Sequence, residues 1–163
     1  MRGTLVIFCG IPGSGKTTIA RIVLGAFERS ILIETDGVRR MLPRPGFSPE
    51  ESRFVYDACF AIAKQALRAG YLVALDGTFL KEEYRRVARK RLRRYCDRDY
   101  TVWVSCRLET ALARNSARTA VVPPERVRAM FESFENPRAA VRVDSARMSP
   151  ESSARRIVAV LSR

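Results

Sequence analysis

Eight residues near the start of this chain constrain it more than any others. Gly10-Ile11-Pro12-Gly13-Ser14-Gly15-Lys16-Thr17 fits G-x-x-x-x-G-K-[ST], a loop that wraps a phosphate in backbone N–H groups. Gly13 lets the backbone approach the ligand closely, and the N–H groups converge at the positive end of the following helix. Lys16 is placed to bridge the β- and γ-phosphates, and the Thr17 hydroxyl to ligate Mg²⁺. Gly13, Ser14, Gly15, Lys16, Thr17 and Thr18 are therefore the expected nucleotide-binding set. The flanks agree: residues 4–9 are an unbroken apolar run that reads as a buried strand. Residues 16–27 follow with Ile19, Ile22, Val23 and Phe27 on one helical face. Such a loop binds a nucleoside triphosphate but does not choose a reaction.

The same alternation continues to the end of the chain. Strands are expected at 31–35, 71–75, 100–106 and 141–144. Helices are expected at 36–42, from Ser48 to about Ala69, at 81–95 with Tyr84, Val87, Ala88, Leu92 and Tyr95 at helical spacing, and at 109–118 and 124–135, with a last one opening at Ser149-Pro150-Glu151. Ser48-Pro49-Glu50-Glu51 is a capping box with Pro at the first helical position, and Gly70 is a natural stop. Strands alternating with helices mean a parallel sheet covered on both faces, and residues 1–163 show no linker or repeat. One α/β domain is expected.

Several side chains fall where ligands bind in such sheets, at the C-terminal ends of strands. Asp36 follows the second strand and can take a hydroxyl proton as a general base, or cap the next helix. Arg39, a helical turn later, can hold an acceptor phosphate. Asp76, at the tip of the third strand, fits either the metal shell or the acceptor side. Arg114 and Arg118 lie four apart in an expected helix, so both fall on one face. They would close over the donor phosphates or form an ordinary solvated basic face.

Composition narrows the chemistry. The chain of 163 residues has no histidine, so acid–base work falls to carboxylates, Lys, Tyr or Cys. Cys9, Cys59, Cys96 and Cys106 have no metal-site spacing and read as reduced, mostly buried residues. The apolar run before the loop is too short to span a membrane, so the expected setting is cytoplasmic with no membrane partner. Lys plus Arg number 30 against 17 Asp plus Glu, a net +13, and most of the cations are Arg. That balance reflects either a polyanionic partner or a genome that favours arginine codons. Arg39, Arg40, Arg44 and Arg53 cluster around the expected acceptor mouth. Lys81, Arg85, Arg86, Arg89, Lys90, Arg93 and Arg94 make one strongly basic helix.

The phosphate loop, Asp36-x-x-Arg39, Asp76-Gly77-Thr78 and Arg114-Asn115-Ser116-Ala117-Arg118 occur in this order over about residues 4–135. Together they resemble the polynucleotide 5′-hydroxyl kinases of phages and bacteria. The resemblance implies a P-loop kinase fold: a parallel five-stranded sheet of order 2-3-1-4-5, flanked by helices, with a helical lid at about 109–124. It implies Mg²⁺-dependent transfer of the γ-phosphate of ATP, or of another nucleoside triphosphate, to the 5′-hydroxyl of DNA or RNA. Lys16, Asp36, Arg39 and Arg118 would be catalytic, and Arg114 and Arg118 would contact the donor. Asp36, Arg39, Arg40, Asp76 and Thr78 would line the acceptor side, and Thr17 and Asp76 would hold the metal. The third-strand motif departs from the family's Thr-Asn pairing by reading Thr78-Phe79. Two rival readings are a small-molecule kinase of the same fold and a nucleotide-gated binding module; oligomeric state is open.

Overall fold

The structure, a computed structural model, describes residues 2–139 and 141–163. Its centre is β1 (Gly3–Cys9), hydrogen-bonded in parallel to β3 (Leu72–Asp76) on one side and β4 (Cys96–Ser105) on the other. β2 (Ser30–Glu34) joins β3 and β5 (Val141–Asp144) joins β4, so the order is β2-β3-β1-β4-β5 and every pairing is parallel. Both faces are covered. Leu5, Ile7 and Cys9 point into a core with α3 (Pro49–Arg68) and α4 (Glu82–Leu92); Val6 and Phe8 point into a second with α1 (Lys16–Leu24) and α7 (Pro150–Leu161). Burial on both sides is why β1 reads as a continuous apolar run rather than an alternating one.

The ends of the helices follow local chemistry. Ser48 Oγ accepts the Glu51 N–H at 3.1 Å, and Ser149 Oγ accepts the Ser152 N–H at 3.1 Å. Gly70 ends the α3 segment at φ +82°, a conformation only glycine adopts without strain. The capping box is only half made, however. The Glu51 carboxylate accepts from Gly46 N–H at 2.7 Å and from Arg39 instead of returning to Ser48.

Three boundaries differ from those read in the sequence. The first helix stops at Leu24, not 27, where the backbone turns into β2. β4 begins at Cys96, well before 100. Asp97, Arg98 and Asp99 look like loop, but they extend the strand beside β1 past a register shift between Gly3 and Thr4. α4 closes at Leu92 with a 3₁₀ turn, Arg93–Tyr95. Its phase also differs. The expected apolar face included Tyr84 and Val87, yet both are exposed, and the buried face is Arg85, Ala88 and Leu92.

Arg85 is fully buried. Its guanidinium donates to the carbonyl of Phe79, to the carbonyl of Glu135 at 2.7 Å and to the Glu82 carboxylate at 2.8 Å. Arg89 and Arg93 pair with Glu82 and Asp99. The basic helix is therefore partly interior and partly neutralised. On the acceptor side lies α2 (Thr35–Arg39), and the span expected as the lid is occupied by α5 (Leu108–Ser116) and the connection to α6 (Pro124–Ser133). Buried Asn115 closes the α5–α6 connection: its amide donates to Val122 O at 2.7 Å and accepts Val122 N–H at 3.2 Å.

Candidate active site

The phosphate loop is held from three sides. Gly10 N–H donates to Thr78 O at 3.2 Å, which ties the loop to the segment after β3. A Cβ on Gly13 (φ +79°) would sit 2.2 Å from the Ala111 carbonyl, so α5 rests directly on the loop backbone. Ser145, just past β5, donates its hydroxyl to Ser14 O at 2.7 Å. The same hydroxyl accepts from Arg114 Nη1 at 2.9 Å, and the Ser145 carbonyl accepts from Arg114 Nη2 at 2.9 Å. Thr18 is exposed in the first turn of α1.

Lys16 is buried, its ammonium donating to Ile11 O at 2.9 Å and to Ser14 Oγ at 3.5 Å. Burial lowers its pKa, against the opposing pull of the Asp76 and Asp36 carboxylates. Thr17 donates its hydroxyl to Asp76 Oδ2. Asp76 is buried, and burial raises its pKa, opposed by the charge of Lys16 and the Thr17 hydrogen bond. One carboxylate and one hydroxyl beside a phosphate cradle suit Mg²⁺, which keeps few protein ligands and takes the rest from phosphate and water. Among the described residues no group of three or more acidic or cysteine ligands gathers elsewhere.

Asp36 lies exposed in α2, and Arg118 Nη2 reaches its Oδ2 at 3.8 Å. That contact bridges the acceptor side and the lid. The helix breaks at Ser116, so Arg114 and Arg118 do not share a face: one turns to Ser145, the other to Asp36.

The other acceptor-side residues have different partners. Arg39 is buried and already engaged, donating to Gly46 O at 2.6 Å and Glu51 at 2.8 Å, with its guanidinium 4.5 Å from the Phe47 ring. It clamps the 43–48 segment to α3. Arg40 lies 3.9 Å from Glu34. Thr78 is engaged through its carbonyl, and Phe79 after it is fully buried at φ +43°, its ring 5.5 Å from that of Tyr56. A bulky residue in the left-handed region is costly and persists only where neighbours enforce it. Arg85 on its carbonyl is that enforcement. The Thr78-Phe79 departure thus exchanges a polar side chain for a core ring.

Two positioning residues went unnoticed in the sequence. Ser145 carries no motif. Arg85 had a legible signal, since it shares a stripe with Ala88 and Leu92 at i+3 and i+7.

The model of the AAA domain family matches residues 5–137. The chain belongs to this family. It is 30% identical over 142 residues to the L-seryl-tRNA(Sec) kinase of Methanococcus maripaludis, covering 82% of this chain but 53% of that protein. It thus spans about half the length of that relative. The solved APS kinase of Mycobacterium tuberculosis, in complex with AMPPNP and APS, superposes with a TM-score of 0.79 at 20% identity, covering 99% of both chains. A gluconokinase from Sinorhizobium meliloti 1021 gives 0.70 at 21%, covering 98% of this chain and 92% of that one. The fold is therefore the P-loop kinase fold, as the order of the sheet indicates. Family membership is broader than the polynucleotide-kinase resemblance of the motifs.

Proposed function

We propose that this family member is a kinase that moves the γ-phosphoryl group of ATP onto a hydroxyl carried by a nucleic acid. One observation carries the reaction: Lys16, the Thr17–Asp76 pair and Asp36 gather at the C-terminal ends of β1, β3 and β2, with Arg118 reaching across to Asp36. The acceptor oxygen attacks the γ-phosphorus, the bond to the β,γ-bridging oxygen breaks, and ADP leaves. Asp36 receives the hydroxyl proton. Lys16, the loop N–H groups and Arg118 stabilise charge on the transferred group. Thr17 and Asp76 would hold Mg²⁺, whose charge neutralises the phosphate oxygens when it is bound.

The acceptor class rests on the net charge of +13 and on the likeness to a kinase named for a tRNA-borne substrate. Two hydroxyls fit that class: the 5′-hydroxyl of a DNA or RNA strand, and the hydroxyl of an aminoacyl group esterified to tRNA. The buried Arg39 favours the second, because its guanidinium is already engaged by Glu51 and Gly46 rather than offered to a strand phosphate. That same observation supports a second reading, a free small hydroxyl compound as acceptor.

Transfer of labelled γ-phosphate from ATP with Mg²⁺ tests all of these side by side. The acceptors are a 5′-hydroxyl oligonucleotide as DNA and as RNA, seryl-tRNA, and free serine and gluconate. Label on an RNA or DNA species is the expected result. Label confined to the free small compounds would move the reading to a small-molecule kinase. ATP binding without transfer to any acceptor would leave a nucleotide-gated binding module.

A further inference from the structure

A cavity of about 660 Å³ lies between α3 and α4, and no residue of the phosphate site lines it. Phe60 and Lys64 come from α3; Lys90, Arg91, Arg94 and Tyr95 come from α4 and its closing turn. We propose that this groove is a docking surface for the sugar–phosphate backbone of a single-stranded RNA. The inference rests on the nucleic-acid reading of the acceptor and gives that strand a path on the protein.

Charge separation within one helix is the first reason. Arg85, Arg89 and Arg93 of the α4 segment pair with Glu82 and Asp99. The cations facing the groove do not share in that neutralisation. Its single lining carboxylate, Asp57, is taken by Arg91 at 2.6 Å. Among the described residues no carboxylate lies within ion-pair reach of Lys64, Lys90 or Arg94.

The second reason is that most of the groove's cations are held in place without losing charge. Arg94 lies 4.8 Å from the centre of the Tyr95 ring, Lys64 lies 5.3 Å from the same ring, and Arg91 is 5.8 Å from Phe60. An aromatic face orients a cation without a carboxylate to cancel its charge, which leaves that charge for phosphate oxygens. Burial favours the neutral Tyr95 hydroxyl, yet hydrogen bonding and charge from Arg94, with Lys64 beside it, outweigh it and lower its pKa.

Geometry suits a strand better than a single anion. Lys64 and Arg94 flank the Tyr95 ring, and Lys90 adds a further cation from α4 to the same open trough. On the α4 side the lining runs from Val87 to Tyr95, about 12 Å at about 1.5 Å per residue, and α4 begins after β3, whose C-terminal end carries Asp76. A strand in the groove would run toward the reacting end of the sheet.

Fluorescence anisotropy with the full chain and a 3′-labelled 12-nucleotide single-stranded RNA, across a salt series, tests the assignment. The variant Lys64→Gln/Lys90→Gln/Arg94→Gln should bind at least tenfold more weakly. Its salt slope should fall by about 2, since each phosphate contact on a single strand contributes about 0.7. Arg155→Gln/Arg156→Gln, on exposed positions of α7, should change neither. Lys64→Arg/Lys90→Arg/Arg94→Lys, which keeps the charge, should bind like the parent and so separates charge loss from misfolding. ADP affinity should be the same in all four proteins. Unchanged RNA affinity in the triple Gln variant would overturn the groove, as would equal losses from the α7 pair. Displacement of the RNA by stoichiometric inorganic triphosphate would overturn it too, by assigning a compact anion site. Phosphorylation of RNA by the triple Gln variant at the parent's kcat/KM would remove the groove and leave the kinase reading standing. Transfer only to free small acceptors, with no RNA bound, would remove both.

Discussion

Asp76 is buried beside a cationic lysine, and burial holds its proton more tightly than in an ordinary carboxyl group. Metal needs the ionised form. Lowering the pH should therefore abolish the Mg²⁺-dependent part of ATP affinity at a pH above the usual carboxylate range. Calorimetric titration of ATP from pH 4 to 8, with Mg²⁺ and with EDTA, reads this directly. Asp76→Asn should lack the Mg²⁺-dependent part throughout, and persistence of that part down to the ordinary aspartate range would refute the assignment. Asp36 has a different role and a different signature. Asp36→Asn should lower kcat by about 10²–10⁴-fold, the usual worth of a general base, with ATP affinity within about twofold. A large loss of ATP affinity instead would make Asp36 a structural partner of Arg118. At Arg85 the expectation is purely one of stability. Arg85→Met leaves the Phe79 and Glu135 carbonyls without their donor and should cost about 3 kcal/mol. That is roughly 6–12 °C in Tm for a chain of this size. An unchanged melting temperature would mean that Phe79 does not need Arg85 to stay in the left-handed region.

Elements were legible where local chemistry punctuates the chain. The start of α3 at Ser48-Pro49 and its stop at Gly70 follow from capping and glycine geometry, and both hold. Ser48→Ala should lower stability by about 1 kcal/mol, measured by urea denaturation, because one N–H of the first turn loses its acceptor. Where local signals were weak, neighbours decided. The polar start of β4 gives no strand pattern, and the edge of β1 recruits it. The phase of α4 was misread because an arginine occupies its buried stripe, which periodicity counts as a surface position. The lid helix ends before Arg118, and the residue four positions from Arg114 consequently faces another element. α5 also touches the phosphate loop through backbone at Ala111, which no motif records. Gly13→Ala should therefore abolish ATP binding in the same titration, since the new Cβ would meet the Ala111 carbonyl at 2.2 Å. Retained binding would mean that α5 can lift away from the loop.

At the scale of the molecule, the net charge of +13 is unevenly spread, with ion pairs clustered on some faces and unpaired cations on others. Activity on a strand acceptor should fall steeply between 50 and 300 mM salt, whereas a neutral small acceptor should show little slope. The parallel sense of the sheet and the phosphate loop after an apolar strand were readable, because buried parallel strands need unbroken apolar runs and short loops follow glycine rules, whereas the strand order came only with the family resemblance. No histidine was available for any site. Those are properties of neighbouring residues along the chain, and the sequence displays them directly. Which partner each arginine takes is another matter. Arg39 chose Glu51, Arg114 chose Ser145, Arg118 chose Asp36 and Arg85 entered the core, each across a gap in sequence that no spacing rule spans. A long flexible cation satisfies its donors with whichever acceptors folding brings within reach, and that supply exists only once the helices have packed.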